Sequence, residues 1–320
     1  MNMKKIPGLG APLPTATVEE AGRSAGESLL SYLRNHPAAS IVLRLAPVLF
    51  WMLMFLLIPL ALVLVVSLAT RGVYGGVVYK FTFENYIRFI DPIYLKLLID
   101  SVYVALLTTL ACLGLGYPFA YYVARSNPKY RNLLLMLVML PFWTNFLIRT
   151  YAWMVILRTE GVINTVLQNL GLIQDPLSLL YNQGAVLLGM IYGYLPFMVL
   201  PLYASIEKLD QSLLEAAQDL GANPVQTFWK VTLPLTLPGV AAGSILVFVP
   251  ALGMFVVPDL LGGAKSMLVG NLIQNQFLAA RNWPFGAAAS IIVMVVSLVM
   301  VFLYARWVGM GSETPRAKEV

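Results

Sequence analysis

The sequence predicts an all-α, polytopic transmembrane helical bundle, and three observations carry that prediction. The chain has 320 residues, of which 59% are hydrophobic and only 11% charged, and its mean hydropathy of +0.78 lies well above that of soluble globular domains. Six apolar runs are each long enough to cross a bilayer core about 30 Å thick, which takes roughly 20 residues rising about 1.5 Å each. The runs are continuous, whereas strands of a transmembrane barrel would alternate over about ten residues.

Taken in order, residues 1–40 hold Pro7, Pro12, Pro14 and Pro37 among scattered glycine, serine and charge, with no apolar signal block before Ile41. This predicts a flexible cytoplasmic tail, in which Ser28 to Leu33 is a candidate amphipathic stretch. Residues 41–96 follow as the first span, Leu45 to Leu68, and an outside loop of about 30 residues whose aromatics suit a headgroup-level or partner-facing surface. Residues 97–308 form a core of five further spans: Ser101 to Ala124, Leu133 to Leu157, Ala185 to Ile206, Pro238 to Leu261 and Ala287 to Val308. The short basic loop Arg125 to Arg131 reads as an inside hairpin, and residues 309–320 as a cytoplasmic tail. With both termini inside, the inside segments carry 13 Lys and Arg, the outside loops 7, and Arg149 falls within a span, which agrees with the positive-inside bias. Pro59, Pro141, Pro196, Pro201 and Pro250 sit in the middles of spans. Each frees a backbone carbonyl, which a membrane tolerates where protein or water can satisfy it, so kinked helices that enclose a path are one expectation and passive kinks in a packed bundle the other.

Several chemistries are excluded. A lone Cys112 inside an apolar run supports no disulfide framework or thiolate cluster within the chain. The only histidine, His36, lies in the tail, so neither a metal centre nor histidine catalysis is expected. No phosphate-binding loop of the G-x-x-x-x-G-K-[ST] type occurs. Nothing points to nucleic acid as a partner; the lipid bilayer is the expected surrounding.

The polar stretch Glu215 to Gly239 interrupts the apolar second half. Leu209, Leu213, Ala216, Ala217 and Leu220 share one helical face, and Gln211, Glu215, Gln218 and Asp219 the other. Asp210 and Ser212 compete as N-cap, the latter with Glu215 at capping-box spacing. Gly221 stands where a helix closes in the left-handed conformation. Asn223-Pro224 then reads as cap and first residue of a second short helix that Leu233-Pro234 terminates. Glu215, Asp219 and Lys230 make burial in lipid costly, so residues 207–236 are expected as a cytoplasmic hairpin.

Glu215-Ala216-Ala217, Gly221, Val231 and Leu233-Pro234 at these offsets resemble the EAA signature of binding-protein-dependent ABC importer permeases; the family usually has isoleucine where Val231 stands. The resemblance implies that the hairpin is the coupling helix docking on an ATPase, with Glu215, Ala216, Ala217, Gly221, Leu233 and Pro234 as its motif positions. "LPFWTNFLIRTYAW" (140–153), "LPFMVLPLYASIEKLDQSLLEAAQDLGA" (195–222) and "DLLGGAKSMLVGNLIQNQFLAARNWPFGAA" (259–288) further resemble the spermidine/putrescine importer permeases, the first of the two paired subunits, over roughly 88–306. That implies a bacterial inner-membrane complex of two ATPase subunits, this chain, a second permease subunit and a periplasmic substrate-binding protein. ATP and magnesium would be used by the ATPase partner, and the chain itself would bind no cofactor, hold no metal and be no enzyme. Relatives for iron(III), thiamine, aminoethylphosphonate and opines share some of these segments, so those solutes are the alternative cargo.

A polyamine path should offer carboxylates, carbonyls and aromatic faces. Asp259 is the only acid within the six runs and is expected near the outer end of the fifth; its alternatives are a helix-end cap or a partner for Arg149. Trp143, Tyr151, Tyr192 and Tyr194 are the aromatic candidates, with packing or interface anchoring as the alternative. The outside acids Glu84, Asp91, Asp100, Glu160, Asp175 and Asp259 do not outnumber the bases there, so charge alone does not select a cationic substrate. An ion-gradient secondary transporter would need membrane-embedded carboxylates or broken helices for its coupling ions, and a membrane enzyme would need a catalytic constellation that is missing.

Overall fold

A computed structural model describes residues 37–73, 75–263 and 266–311. The expectations for the N-terminal tail, with His36, and for most of the C-terminal tail lie outside the described residues. The chain divides at Leu62 into two units. In the first, α1 (Pro37–Met52) passes through a π turn (Leu53–Leu57) into the start of α2 (Ile58–Ser67), giving one run from Leu45 to Ser67 long and apolar enough to cross a membrane.

In the second unit, the expected loop after the first span is folded. A two-stranded antiparallel ribbon, β1 (Thr70–Arg71) and β2 (Val77–Val78), pairs Thr70 with Val78. The short α3 (Glu84–Phe89) follows, with Asn85 Nδ2 donating to the carbonyls of Ser67 and Ala69 at 3.0 and 2.8 Å. The second span is longer than its apolar run. Asp91 accepts from the Ile93 amide at 2.9 Å and Pro92 takes the first helical position, an arrangement in which the missing proline N–H costs nothing. The helix therefore starts at Pro92, nine positions before Ser101, and α4 runs Pro92–Arg125.

The third apolar run is not one helix. From the Asn127 cap, α5 (Pro128–Met139) tightens into a 3-10 turn at Leu140–Trp143, where Pro141 has no N–H to offer. Thr144 is extended, and Asn145 caps a new helix, α6 (Phe146–Leu157), by accepting from the Leu147 amide at 2.8 Å. The two halves, the second continued by α7 (Val162–Asn169), are bent by 90°. Five helices are thus long and apolar enough to span, or six when the bent pair counts as one.

Three helices make the core: α4, α8 (Gln183–Glu207) and α11 (Leu233–Leu252). They approach closely because small residues lie at the crossings. A methyl group at Gly239 would collide with the Ser205 side chain and come within 2.8 Å of the Pro201 carbonyl oxygen. Met190, Met198, Val199, Leu202, Val247 and Leu252 fill the centre, and Cys112 is buried with them. Near one end, Tyr117 and Thr236 share a 2.8 Å hydrogen bond between α4 and α11. A second cluster joins Phe89, Phe285 and Val269, where α12 (Val269–Leu278) packs on α13 (Trp283–Gly311).

Two expectations around α11 are corrected. Leu233-Pro234 does not terminate the second helix of the hairpin: α10 (Pro224–Thr227) continues through a π turn (Phe228–Thr232) into α11, one candidate span from Pro224 to Leu252. The Leu233 amide bonds back to the Phe228 carbonyl, five residues away. This wide turn moves the carbonyl that the Pro234 ring would otherwise strike, and the same arrangement precedes Pro59. At the other end the helix stops at Gly253 rather than Leu261. Asp259 therefore lies beyond the fifth span, in a separate π turn (Pro258–Gly262).

Candidate functional site

The hairpin is built from local capping. Asp210, not Ser212, is the N-cap of α9 (Gln211–Asp219), its carboxylate accepting from the Ser212 amide at 3.0 Å. Gly221 takes φ +81°, a value that costs a side-chain-bearing residue roughly 1–2 kcal/mol. Around it the Ala222 amide reaches the Ala217 carbonyl at 3.0 Å and the Gly221 amide the Gln218 carbonyl at 2.8 Å, the paired closure of a left-handed helix end. Asn223 and Gln226 then cap each other reciprocally, at 2.8 and 3.1 Å.

What this hairpin presents is unusual for a helix with two distinct faces. None of the residues of α9 is buried. Glu215 and Ala216 are exposed, Ala217 is half-buried, and the apolar side is open as well: Leu213 is 47%, Leu220 89%, Val225 65% and Trp229 62% exposed. Pro234 is also exposed, while Leu233 packs against the core. Beneath α9, Ser205, Lys208, Asp210, Leu213 and Leu235 surround a hollow of about 350 Å³. Arg131 and Glu207 pair at 2.7 Å at the adjoining ends of α5 and α8.

The substrate-path candidates do not converge on one point. Asp259 is exposed and accepts a hydrogen bond from Asn271 Nδ2. Asn271 is itself buried, donates also to the Phe255 carbonyl at 2.8 Å, and accepts from the Leu268 amide at 3.1 Å. Asp259 thus takes part in tying α12 to the preceding turn, and no ion pair joins it to Arg149 among the described residues. Trp143 and Tyr151 are 76% and 52% exposed on the broken span. Tyr192 is half-buried, edge-on to Trp153 and 5.8 Å from the Arg149 guanidinium. Tyr194 is buried in the core beside Phe197.

Sequence reasoning missed a polar cavity of about 650 Å³ at the end of the bundle away from the hairpin, lined by Asp100, Arg158, Ser178, Tyr181, Asn182 and Gln183. Its signals were weak ones: Asn182, which caps α8 by accepting from the Ala185 amide at 2.9 Å, and Asp100 at the edge of the apolar run of α4. Asn271 was missed because its partners are brought to it only by the turn after α11.

Residues 116–308 match the family described as binding-protein-dependent transport system inner membrane component. The chain is 50% identical over 256 residues to the spermidine/putrescine transport system permease protein PotB of Haemophilus influenzae, covering 80% of this chain and 90% of that protein. It is 49% identical to the protein of the same name from Escherichia coli, covering 80% and 93%. Among solved structures, a bacterial ABC transporter that imports the acidic polysaccharide alginate superposes with a TM-score of 0.72 at 20% identity, over 89% of this chain and all of that one. The extent of these matches, together with the membrane-spanning helices and the capped hairpin, establishes that the chain belongs to the binding-protein-dependent transport system inner membrane components, the permeases of ABC importers.

Proposed function

We propose that the chain is one of two paired permease subunits of an ATP-driven importer that carries polyamines, spermidine or putrescine, across the inner membrane by alternating access. The observation that carries the coupling half of this reading is the hairpin, which exposes both its charged and its apolar face while its backbone is capped and closed. An amphipathic helix stable in that state is a docking surface whose apolar side awaits a partner. The partner is the ATPase dimer, which hydrolyses ATP with magnesium. Glu215, Ala216 and Ala217 supply the contact face and Gly221 sets the turn, while Leu233 and Pro234 lie where the docked hairpin becomes the fifth span. The hairpin and both termini are then cytoplasmic, and a periplasmic binding protein delivers substrate at the opposite end. The polyamine half rests on the PotB relatives, half identical over most of the chain. Asp259, Trp143, Tyr151 and Tyr192 are the path residues this reading offers; Tyr194, inside the core, serves by packing.

The test is reconstitution in liposomes with the ATPase, the second permease and the loaded binding protein. Uptake of labelled spermidine should require ATP. Glu215→Lys or Gly221→Leu should leave the chain in the membrane and reduce both uptake and substrate-stimulated ATP hydrolysis at least tenfold. Normal uptake by Glu215→Lys refutes the docking role, and uptake that persists without ATP but collapses with the proton gradient refutes the ABC mechanism. Uptake of a different solute in preference to both polyamines replaces the substrate.

A further inference from the structure

The bent third span carries a cation that no acid among the described residues pairs with. Arg149, in the first turn of α6, is half-buried, with its guanidinium carbon 5.8, 5.6 and 5.8 Å from the ring centres of Phe142, Phe146 and Tyr192. Its Nε and Nη1 are buried without a hydrogen-bond acceptor. Aromatic faces orient and partly compensate such a group, but they leave a full positive charge inside the membrane, where unpaired cations are costly. Tyr192 lies nine residues into α8, about 14 Å along the helix, and the neighbouring Phe142 packs edge-on against Phe197 at 4.8 Å, still nearer the middle of that helix.

The backbone beside it points the same way. Thr144 and Asn145 leave the helical hydrogen-bond ladder at this depth, and both are exposed, as are Trp143, Leu147, Ile148 and Tyr151. Irregular backbone does not face lipid in the hydrocarbon region; it is covered by protein or lines water. A protein cover here would also have to bring negative charge. A second copy of this chain is the weaker source: among its described residues Glu207 is engaged with Arg131, Asp100 lines the cavity beside the start of α8, Glu160 lies in the loop beyond the far end of α6, and Asp259, though exposed, is held by Asn271 in a turn already packed against α6.

We propose that the bent span is a contact face for the paired permease subunit, and that a carboxylate of that subunit neutralises Arg149 within the membrane. This rests on the reading of the chain as one of two paired permeases. The first experiment places the photo-cross-linker p-benzoylphenylalanine at Ile148, an exposed neighbour that leaves Arg149 intact, in the wild-type complex reconstituted in nanodiscs. The expected product is a covalent adduct with a membrane helix of the second permease that contains Asp or Glu. Adducts with lipid alone, or with this chain alone, overturn the proposal. The second uses Arg149→Glu, expected to lower co-purification of the second permease and uptake at least tenfold, with recovery when the cross-linked partner's acid is changed to Arg. If Arg149→Glu fails to accumulate, Arg149→Gln replaces it, paired with the partner's acid changed to the matching amide. Uptake within twofold of wild type in the single variant, or no recovery in the pair, overturns the proposal, as does a preference for an anionic substrate whose KM rises in Arg149→Gln. Failure of the wild-type proteins to assemble or transport would instead count against the paired-permease reading itself.

Discussion

The α4, α8 and α11 trio and the bent α5–α6 pair answer the same membrane in opposite ways. In the trio, small residues let backbones approach, methionine and branched side chains fill the centre, and buried hydroxyls bond within the set, as Tyr117 does with Thr236. In the bent pair, an exposed non-helical dipeptide, open aromatics and a guanidinium with no acid partner among the described residues lie along one short segment. The difference teaches that burial within a subunit separates the part that folds by itself from the part that is completed by assembly.

The comparison can be broken at the trio first. Gly239→Val forces a side chain against the Pro201 carbonyl, which cannot rotate away, and should cost about 3 kcal/mol. The melting temperature of the detergent-purified chain should fall by about 6–12 °C, with or without partners present; a fall under about 2 °C would mean that the crossing is looser than its geometry implies. An intermediate effect is expected at the bent pair. Asn145→Ala removes the cap of α6, worth about 1 kcal/mol, and should lower the melting temperature by about 2–4 °C. Its effect should differ between the isolated chain and the complex, and equal shifts in both would erase the distinction drawn above. The smallest effect belongs to Glu207→Gln. The Arg131–Glu207 pair has side chains 25% and 40% exposed, so solvent screening keeps its contribution below about 1 kcal/mol, and a thermal shift beyond about 3 °C would make it part of the core.

Local features were the most legible in the sequence. The Asn223-Pro224 start and the Gly221 closure depend on residues a few positions apart, and the structure has them where the spacing puts them, whereas the apolar runs mark the spans but not their ends. Two prolines misled for one reason. Pro141 looked like a kink inside a continuous run and Pro234 like a stop, yet the chain breaks at the first and continues through the second. The outcome is set by what the turn before each proline can become: a 3-10 turn followed by the Asn145 cap in one case, a π turn in the other. Hydropathy does not register that choice. Asp259 was misplaced because Val257 and Leu261 extend the apolar run beyond Gly253, and its bond to Asn271 exists only once α12 has docked.

The π turn at Phe228–Thr232 also has a mechanical consequence. Because the helix from Pro224 to Leu252 is not jointed at Pro234, its 29 residues form a strut about 43 Å long, with one end at the hairpin and the other beside the turn that holds Asp259. A lever of that length converts a small tilt at one end into a displacement of several ångströms at the other, with Pro238 and Pro250 inside it as the places where it can bend. The wide turn is a compliant coil placed near the hairpin, where slight unwinding would rotate the rest of the strut about its own axis.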